Sequence, residues 1–280
     1  MDTLFEILKS IFQGIVQGIT EWLPISSTGH MLLVDKLIPM NVSKEFFDVF
    51  KVVIQLGSIL AVVVLYFNKL NPFSSKKSSK QKRDTWSLWG KVLIASIPAA
   101  VVGFIIDDWV DTVLSTPIVI AIALIVYGVL FIWMESVSRR VRIDSFKKLD
   151  WRTALGIGVF QMLALIPGTS RSGSTILGAV CLGTSRPIAA EFSFFMAIPV
   201  MIGASGLKLV KAPLSAFTST EWLLLLVGFV VAFAVSVLVI RLFMTYIRRH
   251  DFKGFGVYRI VLGVVVLILA CCGVFSGATA

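Results

Sequence analysis

Two short polar segments interrupt a strongly apolar chain, and their residue types are those that phosphate chemistry requires. Residues 17–30 contain a carboxylate, Glu21, several hydroxyls and His30, and residues 167–175 contain Arg171 among serines and glycines. Ionisable groups inside a membrane segment are costly and by default mark a functional site. A guanidinium can bind a phosphate through two hydrogen bonds, and hydroxyls and glycine backbone N–H groups supply further donors. The pattern therefore predicts a buried site for a phosphorylated ligand.

The first segment joins a carboxylate to a hydroxyl and a histidine. Glu21 follows Gln17 by four residues, which places both side chains on one face of a helix that Pro24 then ends. His30 follows Ser27 by three residues and is one of 2 histidines in the chain. The structural alternatives are a glutamate that reaches the membrane interface and serines that cap a helix. Because all three groups share one membrane loop, we interpret Glu21, Ser27 and His30 as catalytic candidates.

The second segment supplies an anion-binding group. Arg171 lies between Gly168 and Gly173 in a stretch that is otherwise apolar or hydroxylated. Arginine can bind phosphate in a bidentate manner, and glycines let backbone N–H groups approach an anion. A structural ion pair with Glu21 is the alternative, and we add Arg171 to the catalytic candidates. The candidate substrate-binding residues, which share donor groups and lie in the two segments, are Gln17, Ser26, Thr28, Ser170, Ser172, Gly173, Ser174 and Thr175.

The composition places the chain among helical membrane proteins. Of the 280 residues, 57% are hydrophobic and 15% are charged, whereas about a quarter of the residues of a soluble domain are charged. The apolar runs are long and continuous, unlike the short alternating strands of an outer-membrane barrel. The net charge of +10 arises from basic loops between these runs, so we expect membrane topology, and no nucleic-acid partner, to explain it. The expected fold class is an all-α polytopic integral membrane protein.

Long apolar spans and two interrupted segments predict six transmembrane helices and two re-entrant helix hairpins. The spans cover about 46–67, 89–106, 114–134, 188–207, 222–243 and 255–275, and the hairpins cover about 4–33 and 153–182. We expect one membrane domain over 1–280, with a first repeat over about 1–134, a second over about 150–275, and cytoplasmic linkers over about 68–91 and 135–152.

Charged loops predict the orientation in the membrane. The segments 68–91, 139–152 and 241–253 are rich in lysine and arginine, and such loops face the cytoplasm. The acidic loop near residues 107–111 is expected outside. We therefore expect the first hairpin to enter from the outside, the second to enter from the cytoplasm, and both termini to be external.

The two halves of the chain show weak internal similarity. The residues from Gln17 to the sequence Ser-Ser-Thr-Gly at 26–29 resemble those from Gln161 to Ser-Arg-Ser-Gly at 170–173. Hairpins that enter from opposite faces meet near the midplane, where proteins with inverted repeats place their sites. We therefore expect the two polar segments to form one site.

With these motifs, the chain resembles the undecaprenyl-pyrophosphate phosphatases, the bacitracin-resistance family of bacterial cell-wall synthesis, over essentially its whole length. The resemblance rests on Gln17-x-x-x-Glu21, Leu23-Pro24-x-Ser26-Ser27-Thr28-Gly29-His30, Gln55-Leu56-Gly57-Ser58, Pro167-Gly168-x-Ser170-Arg171-Ser172-Gly173 and Glu191-Phe192-Ser193. It implies a multi-pass phosphatase of the bacterial inner membrane that converts undecaprenyl pyrophosphate to undecaprenyl phosphate and inorganic phosphate, with its site open to the outer face.

The resemblance also implies a divalent cation, Mg²⁺ or Ca²⁺. Many family members have Glu at the first position of the E/Q-x-x-x-E motif, where this chain has Gln17, so we expect Glu21 alone to serve as the metal ligand. Arg171 is expected to neutralise charge that develops in phosphoryl transfer. Ser27 and His30 form the reactive pair. Either His30 is the base that activates Ser27, or His30 is the nucleophile and Ser27 orients the phosphate.

A transporter or flippase for a phosphorylated lipid or small anion is the alternative function. Interrupted hairpins in an inverted repeat are also found in transporters, and an anion cradle would need the same arginine and hydroxyls. The presence of His30 close to Ser27 favours the enzyme, because transport requires no activated nucleophile. The expected partners are a lipid pyrophosphate and the lipids of the membrane.

Overall fold

Helices account for nearly all of the regular structure. The computed structural model describes residues 3–137 and 140–275, without the side chains of Asp107, Asp108 and Asp111. In chain order the helices are α1 (Thr3–Thr20), α2 (Ser27–Leu37), α3 (Lys44–Leu65), α4 (Phe67–Leu70), α5 (Ser79–Trp109), α6 (Pro117–Ser136), α7 (Trp151–Met162), α8 (Arg171–Cys181), α9 (Arg186–Lys211), α10 (Ser219–Tyr246) and α11 (Lys253–Cys271). A π-helical turn (Val110–Leu114) follows α5, and 3₁₀ turns follow α7 (Leu163–Leu165) and precede α10 (Leu214–Ala216).

Six of these helices are long and apolar enough to cross a membrane, namely α3, α5, α6, α9, α10 and α11. They coincide with the six predicted spans, so the prediction of an all-α polytopic membrane protein is confirmed. The largest difference concerns α5, which begins at Ser79 inside the predicted linker. Ser78 and Gln81 exchange hydrogen bonds between side chain and backbone, and this capping box starts the helix well before its apolar part.

Two pairs of shorter helices are interrupted at the polar segments. The helix α1 ends at Thr20 and α2 begins at Ser27, beyond the predicted break at Pro24. In the same way α7 ends at Met162 and α8 begins at Arg171. The two helices of each pair contact each other, so each pair turns back on itself. Their entry and exit on one side of a membrane stays a prediction.

The two halves of the chain pack in a matching pattern. The helix α1 lies against α10, α7 lies against α5, and α6 lies against α11. A Cβ added at Gly14 of α1 would lie 2.8 Å from a carbonyl oxygen of α10, and one added at Gly158 of α7 would collide with the carbonyl group of Ala95 in α5. Gly14 precedes Gln17 by the same spacing at which Gly158 precedes Gln161. This agreement supports the prediction of a repeat.

An aromatic core holds the first polar segment against α9. Trp22 is fully buried and meets Phe194 edge to face, with the ring centroids 5.1 Å apart. Phe243 of α10 packs on the same phenylalanine, with a centroid distance of 6.1 Å. Because each large aromatic side chain buries about 150–250 Å², this packing fixes the backbone that carries Glu21.

The first prediction concerns orientation. In a variant without native cysteines, Ser79→Cys and Ser145→Cys should resist an impermeant thiol reagent applied to intact cells, because basic loops stay in the cytoplasm. Thr279→Cys should react. Thr279, Arg139 and the side chains of Asp107, Asp108 and Asp111, in the loop predicted to be external, lie outside the described residues. Labelling of Ser79→Cys from the outside would contradict the topology.

The second prediction concerns the glycine contact between α7 and α5. Gly158→Ala should lower the free energy of unfolding by about 1–3 kcal/mol, because overpacking forces two backbones apart. Thermal unfolding in detergent measures the change. The matched control is Gly203→Ala in α9, where an added Cβ meets nothing within 4 Å. If both variants unfold at the same temperature, the close approach of α7 to α5 is wrong.

Candidate active site

The helices α2 and α8 begin in the same unusual way. Ser26 and Ser170 precede them with φ values of 72° and 71°, a region that residues with side chains seldom occupy. Each serine hydroxyl accepts a hydrogen bond from the backbone N–H three residues later, at Gly29 (3.4 Å) or Gly173 (3.2 Å). Backbone strain of this kind costs about 1–3 kcal/mol and concentrates at functional sites. The two segments thus present two similarly built helix N-termini, positions that stabilise anions.

The carboxylate of Glu21 is the point at which the two polar segments meet. Its Oε1 accepts a hydrogen bond from Arg171 Nη2 at 3.1 Å. Its Oε2 accepts hydrogen bonds from Gln17 Nε2 at 3.1 Å and from Ser27 Oγ at 3.3 Å. The structure therefore brings together four of the residues that the sequence singles out, and both helix N-termini contribute a donor to one carboxylate.

Arg171 is held on two sides and retains a spare donor. Its Nη1 donates to the backbone oxygen of Ser193 in α9 at 2.9 Å, while Nη2 bonds Glu21. The guanidinium carbon lies 5.7 Å from the ring centroid of Trp22. Within the described part of the chain, Arg171 Nε is buried without a hydrogen-bond partner. The arginine is thus positioned by the protein and keeps one N–H group that no described residue accepts.

The ring of His30 is fixed by one backbone and one side-chain contact. Its Nδ1 lies 2.7 Å from the carbonyl oxygen of Ser26, and its Nε2 lies 2.7 Å from the hydroxyl of Tyr258 in α11. A carbonyl oxygen can only accept, so we assign the proton to Nδ1, and Nε2 then accepts a hydrogen bond from the Tyr258 hydroxyl. The sequence predicts that Ser27 and His30 form a reactive pair. In the structure the hydroxyl of Ser27 donates to Glu21, and no hydrogen bond joins Ser27 to His30 among the described residues.

Ser172 ties the second segment to the backbone of the first. Its hydroxyl donates to the carbonyl oxygens of Glu21 (3.3 Å) and Leu23 (3.2 Å) and lies 3.1 Å from Ser170 Oγ. The hydroxyls of Ser170 and Ser26 serve as helix caps. These serines therefore have partners inside the protein, and their role in substrate binding stays a prediction.

Ser174 and Thr175 lie further along α8 and are fully buried. Ser174 Oγ donates to the hydroxyl of Tyr127 at 2.9 Å, and Thr175 Oγ1 lies 2.6 Å from Ser193 Oγ. Thr28, in contrast, is exposed in the first turn of α2. Both hydroxyls thus have partners inside the protein, and the role of Ser174 and Thr175 in substrate binding stays a prediction.

The sequence analysis missed Arg259 of α11, which connects both polar segments. This side chain is fully buried. Its Nη1 donates to Pro24 O at 3.0 Å, and its Nη2 donates to Gly168 O at 2.8 Å and Thr169 O at 3.0 Å. Its guanidinium carbon lies 5.2 Å from the ring centroid of Tyr127. A signal was present, because an arginine within an apolar span is by default a functional residue.

The oxygen donors at the site fit a divalent cation that binds together with a phosphate. The described residues contain no group of three or more His, Cys, Asp or Glu side chains that could hold a metal. Glu21 supplies one carboxylate, with the amide of Gln17 beside it. Mg²⁺ commonly binds through one or two carboxylates, substrate phosphates and water. Glu21 fits this mode, whereas an all-protein metal cage does not fit the described residues.

The fold and the site together define a class of protein. The chain is a polytopic helical membrane protein in which two segments far apart in sequence place an arginine, a serine and a histidine in the first turns of two helices. The arginine and the serine both bond the carboxylate of Glu21. This set of groups suits a phosphorylated ligand.

The family is shown by comparison with known proteins. A family model described as "Bacitracin resistance protein BacA" matches residues 10–265, and the chain belongs to this family. It is 60% identical over 265 residues to "Undecaprenyl-diphosphatase 1" of Clostridioides difficile (strain 630), covering 95% of this chain and 96% of the relative. It is 58% identical to the "Undecaprenyl-diphosphatase" of Enterococcus faecalis, covering 94% of this chain and 97% of the relative. The family predicted from the motifs is confirmed.

The third prediction concerns Arg259. Arg259→Lys should lower both phosphatase activity and thermal stability, because an ammonium cannot reach three carbonyl oxygens on two segments. Each buried carbonyl left without a donor costs about 1–3 kcal/mol. The control is Arg241→Lys in α10, which is exposed. Equal melting temperatures and rates for the two variants would show that Arg259 does not hold the segments together.

Proposed function

We propose that this protein is an undecaprenyl-diphosphatase. It hydrolyses undecaprenyl diphosphate to undecaprenyl phosphate and inorganic phosphate, which recycles the lipid carrier for cell-wall synthesis and gives resistance to bacitracin. The names of relatives that share 58–60% of their residues with this chain support the activity. The single observation that carries the proposal is the 3.1 Å bond between Arg171 Nη2 and Glu21 Oε1, which joins the two polar segments across 150 residues.

The proposed location is the bacterial cytoplasmic membrane, with the site open to the outer face. Six helices are long and apolar enough to cross a bilayer. The lysine- and arginine-rich loops support a cytoplasmic position for the opposite face. In this orientation the first polar segment enters the membrane from the outside. The diphosphate of the lipid carrier is therefore hydrolysed at the outer face.

The diphosphate binds between the N-termini of α2 and α8. Arg171 and Ser27 already donate to the Glu21 carboxylate, so the same donors are directed at a position that favours an anion. Backbone N–H groups at the two helix ends add to this attraction. A divalent cation held by Glu21 together with the substrate would neutralise phosphate charge.

His30 is the proposed nucleophile. The hydrogen bond from Nδ1–H to Ser26 O leaves the lone pair on Nε2, where it accepts a hydrogen bond from the Tyr258 hydroxyl. This bond must break before Nε2 can attack. In the proposed reaction Nε2 attacks the terminal phosphorus, the bond to the bridging oxygen breaks, and undecaprenyl phosphate leaves. Water then hydrolyses the phosphohistidine, and Ser27 orients the phosphate. The alternative is that His30 acts as a general base for Ser27.

Phosphate release tests the function directly. Protein purified in detergent, with no gradient across a membrane, should release inorganic phosphate from undecaprenyl diphosphate. Activity should depend on added Mg²⁺ or Ca²⁺. If the protein releases no phosphate but binds the lipid, the transporter or flippase function would replace the phosphatase.

The fourth prediction separates the two roles of His30 and Ser27. Replacement of a general base costs about 10²–10⁴-fold in rate, and replacement of the nucleophile should cost more. We expect the larger loss in His30→Ala. The hydroxyls of Ser26 and Thr28, next to Ser27, can partly replace a missing Ser27 hydroxyl. The other histidine, His250, lies in the loop between α10 and α11 and cannot replace His30. A trapped phospho-enzyme should be labile to acid and stable to base. Substantial turnover by folded His30→Ala would exclude His30 as the nucleophile.

The fifth prediction concerns the shape of the cation at position 171. Arg171→Lys should not restore turnover, because a lysine offers a point charge where a planar guanidinium contacts both Glu21 and α9. Arg142→Lys, in an exposed loop, is the matched control. Near-normal turnover by Arg171→Lys would assign Arg171 a structural role as the counter-ion of Glu21.

A further inference from the structure

Tyr258 of α11 occupies the nitrogen of His30 that the proposed reaction uses. Its hydroxyl lies 2.7 Å from His30 Nε2, and since Nδ1 donates to Ser26 O, Nε2 accepts this bond. The two rings are nearly parallel, with an interplanar angle of 4° and centroids 5.6 Å apart. Among the described residues, His30 is the one hydrogen-bond partner of the Tyr258 hydroxyl. The hydroxyl and a phosphorus atom cannot both occupy the lone pair of Nε2, so the hydroxyl must leave when the substrate reacts.

The turn of α11 that carries Tyr258 is fixed against both polar segments. Arg259 follows it directly and donates to three backbone carbonyl oxygens, those of Pro24, Gly168 and Thr169. The backbone of Tyr258 is therefore held at the site, while its side chain is 45% exposed. Because so much of this side chain lies outside the packed core, the hydroxyl can turn away from Nε2 without repacking of its neighbours.

The displaced hydroxyl needs a new acceptor, and the phosphate supplies one at the same place. A tyrosine hydroxyl can donate to any oxygen that has a lone pair. A phosphoryl group bonded to Nε2 places its oxygens around the position that the hydroxyl has left. Arg171 and Ser27 reach the site from α8 and α2, whereas Tyr258 reaches it from α11. The hydroxyl therefore adds a donor from a third helix, close to Nε2.

We propose that Tyr258 is a further catalytic residue, whose hydroxyl releases His30 Nε2 when the substrate binds and then donates to an oxygen of the terminal phosphate. The inference rests on the proposed function. It holds for either role of His30, because a nucleophile and a general base both need the lone pair of Nε2. The hydroxyl keeps its proton throughout, so it contributes a hydrogen bond and transfers nothing. A donor placed where charge develops stabilises the transition state.

The chain contains 2 histidines, which allows the bond between Tyr258 and His30 to be tested by chemical modification. His250→Gln leaves His30 as the single histidine, and diethyl pyrocarbonate modifies histidine with a characteristic change in ultraviolet absorbance. The reagent attacks the lone pair of a neutral imidazole, which Tyr258 covers. With Tyr258→Phe added, modification should be about tenfold faster, as expected for the loss of one hydrogen bond. An unchanged rate would overturn the proposal.

Tyr246→Phe is the matched control for this substitution. Tyr246, the last residue of α10, is 39% exposed, and its hydroxyl does not bond His30 among the described residues. Each change removes one oxygen atom and leaves the ring in place. The control should therefore react with diethyl pyrocarbonate at the rate of His250→Gln alone and should keep its turnover.

The turnover of Tyr258→Phe separates a catalytic role from simple blocking of Nε2. Loss of one donor to developing charge costs about 10²–10³ in kcat. We therefore expect kcat for undecaprenyl diphosphate to fall by about this factor, although His30 has become more reactive toward the reagent. Faster modification with unchanged or faster turnover would overturn the catalytic role and leave the proposed function intact. Unmodified protein that releases no phosphate would overturn both.

Nitrogen NMR follows the exchange of the hydrogen bond without turnover. In His250→Gln with isotopically labelled histidine, the Nε2 resonance reports whether the lone pair accepts a hydrogen bond. An analogue of farnesyl diphosphate, with a methylene group in place of the bridging oxygen, should move this resonance toward its position in Tyr258→Phe. If the resonance stays in place at a concentration that inhibits turnover completely, Tyr258 remains on Nε2 and the proposal is wrong.

Discussion

A helix that ends inside an apolar protein leaves backbone carbonyl groups that no water can reach, and this constraint determines how the site is built. Arg259 satisfies Pro24 O, Gly168 O and Thr169 O together. Burial of an arginine is itself unfavourable, and the three carbonyl bonds and the ring of Tyr127 offset that cost. Because one side chain serves both polar segments, the position of each segment depends on the other, and the distance between their functional groups is held fixed.

The ion pair between Glu21 and Arg171 follows from that fixed geometry, and the role proposed for it is chemical rather than structural. A buried ion pair often contributes little to stability, because desolvation opposes the Coulomb attraction. In apolar surroundings, however, the same charges act strongly on a ligand. In the proposed reaction an incoming phosphate would replace one anionic partner of Arg171 with another, so the guanidinium would need little rearrangement. Donors that are positioned before the reaction are the main source of electrostatic catalysis.

The sequence predicts the six long helices and the two interrupted segments because a long apolar run in a membrane has few structural alternatives. It also indicates one shared site, since Glu21 and Arg171 each need a partner at that depth. It does not predict which hydroxyls face a ligand. Ser174 and Thr175 lie on a short helix that is buried on nearly all sides, so no periodic pattern distinguishes their environment. Arg259 was missed because its partners are backbone atoms, which a search for paired charges does not reveal.

The two halves of the site are similar in backbone and different in chemistry. Ser27 and Arg171 are the first residues of α2 and α8, helices of 11 residues each with the same serine cap, and both reach one carboxylate. That carboxylate has no counterpart, because the position four residues after Gln161 is Leu165, where the first segment has Glu21. The fourth residue of α2 is His30, whereas the fourth residue of α8 is a buried serine. The first half therefore supplies the proposed nucleophile and metal ligand, and the second half supplies the cation proposed to neutralise the phosphate. A phosphatase needs a nucleophile in line with the leaving oxygen and cations at the oxygens between them, and two diverged copies of a single helix pair can provide both kinds of group.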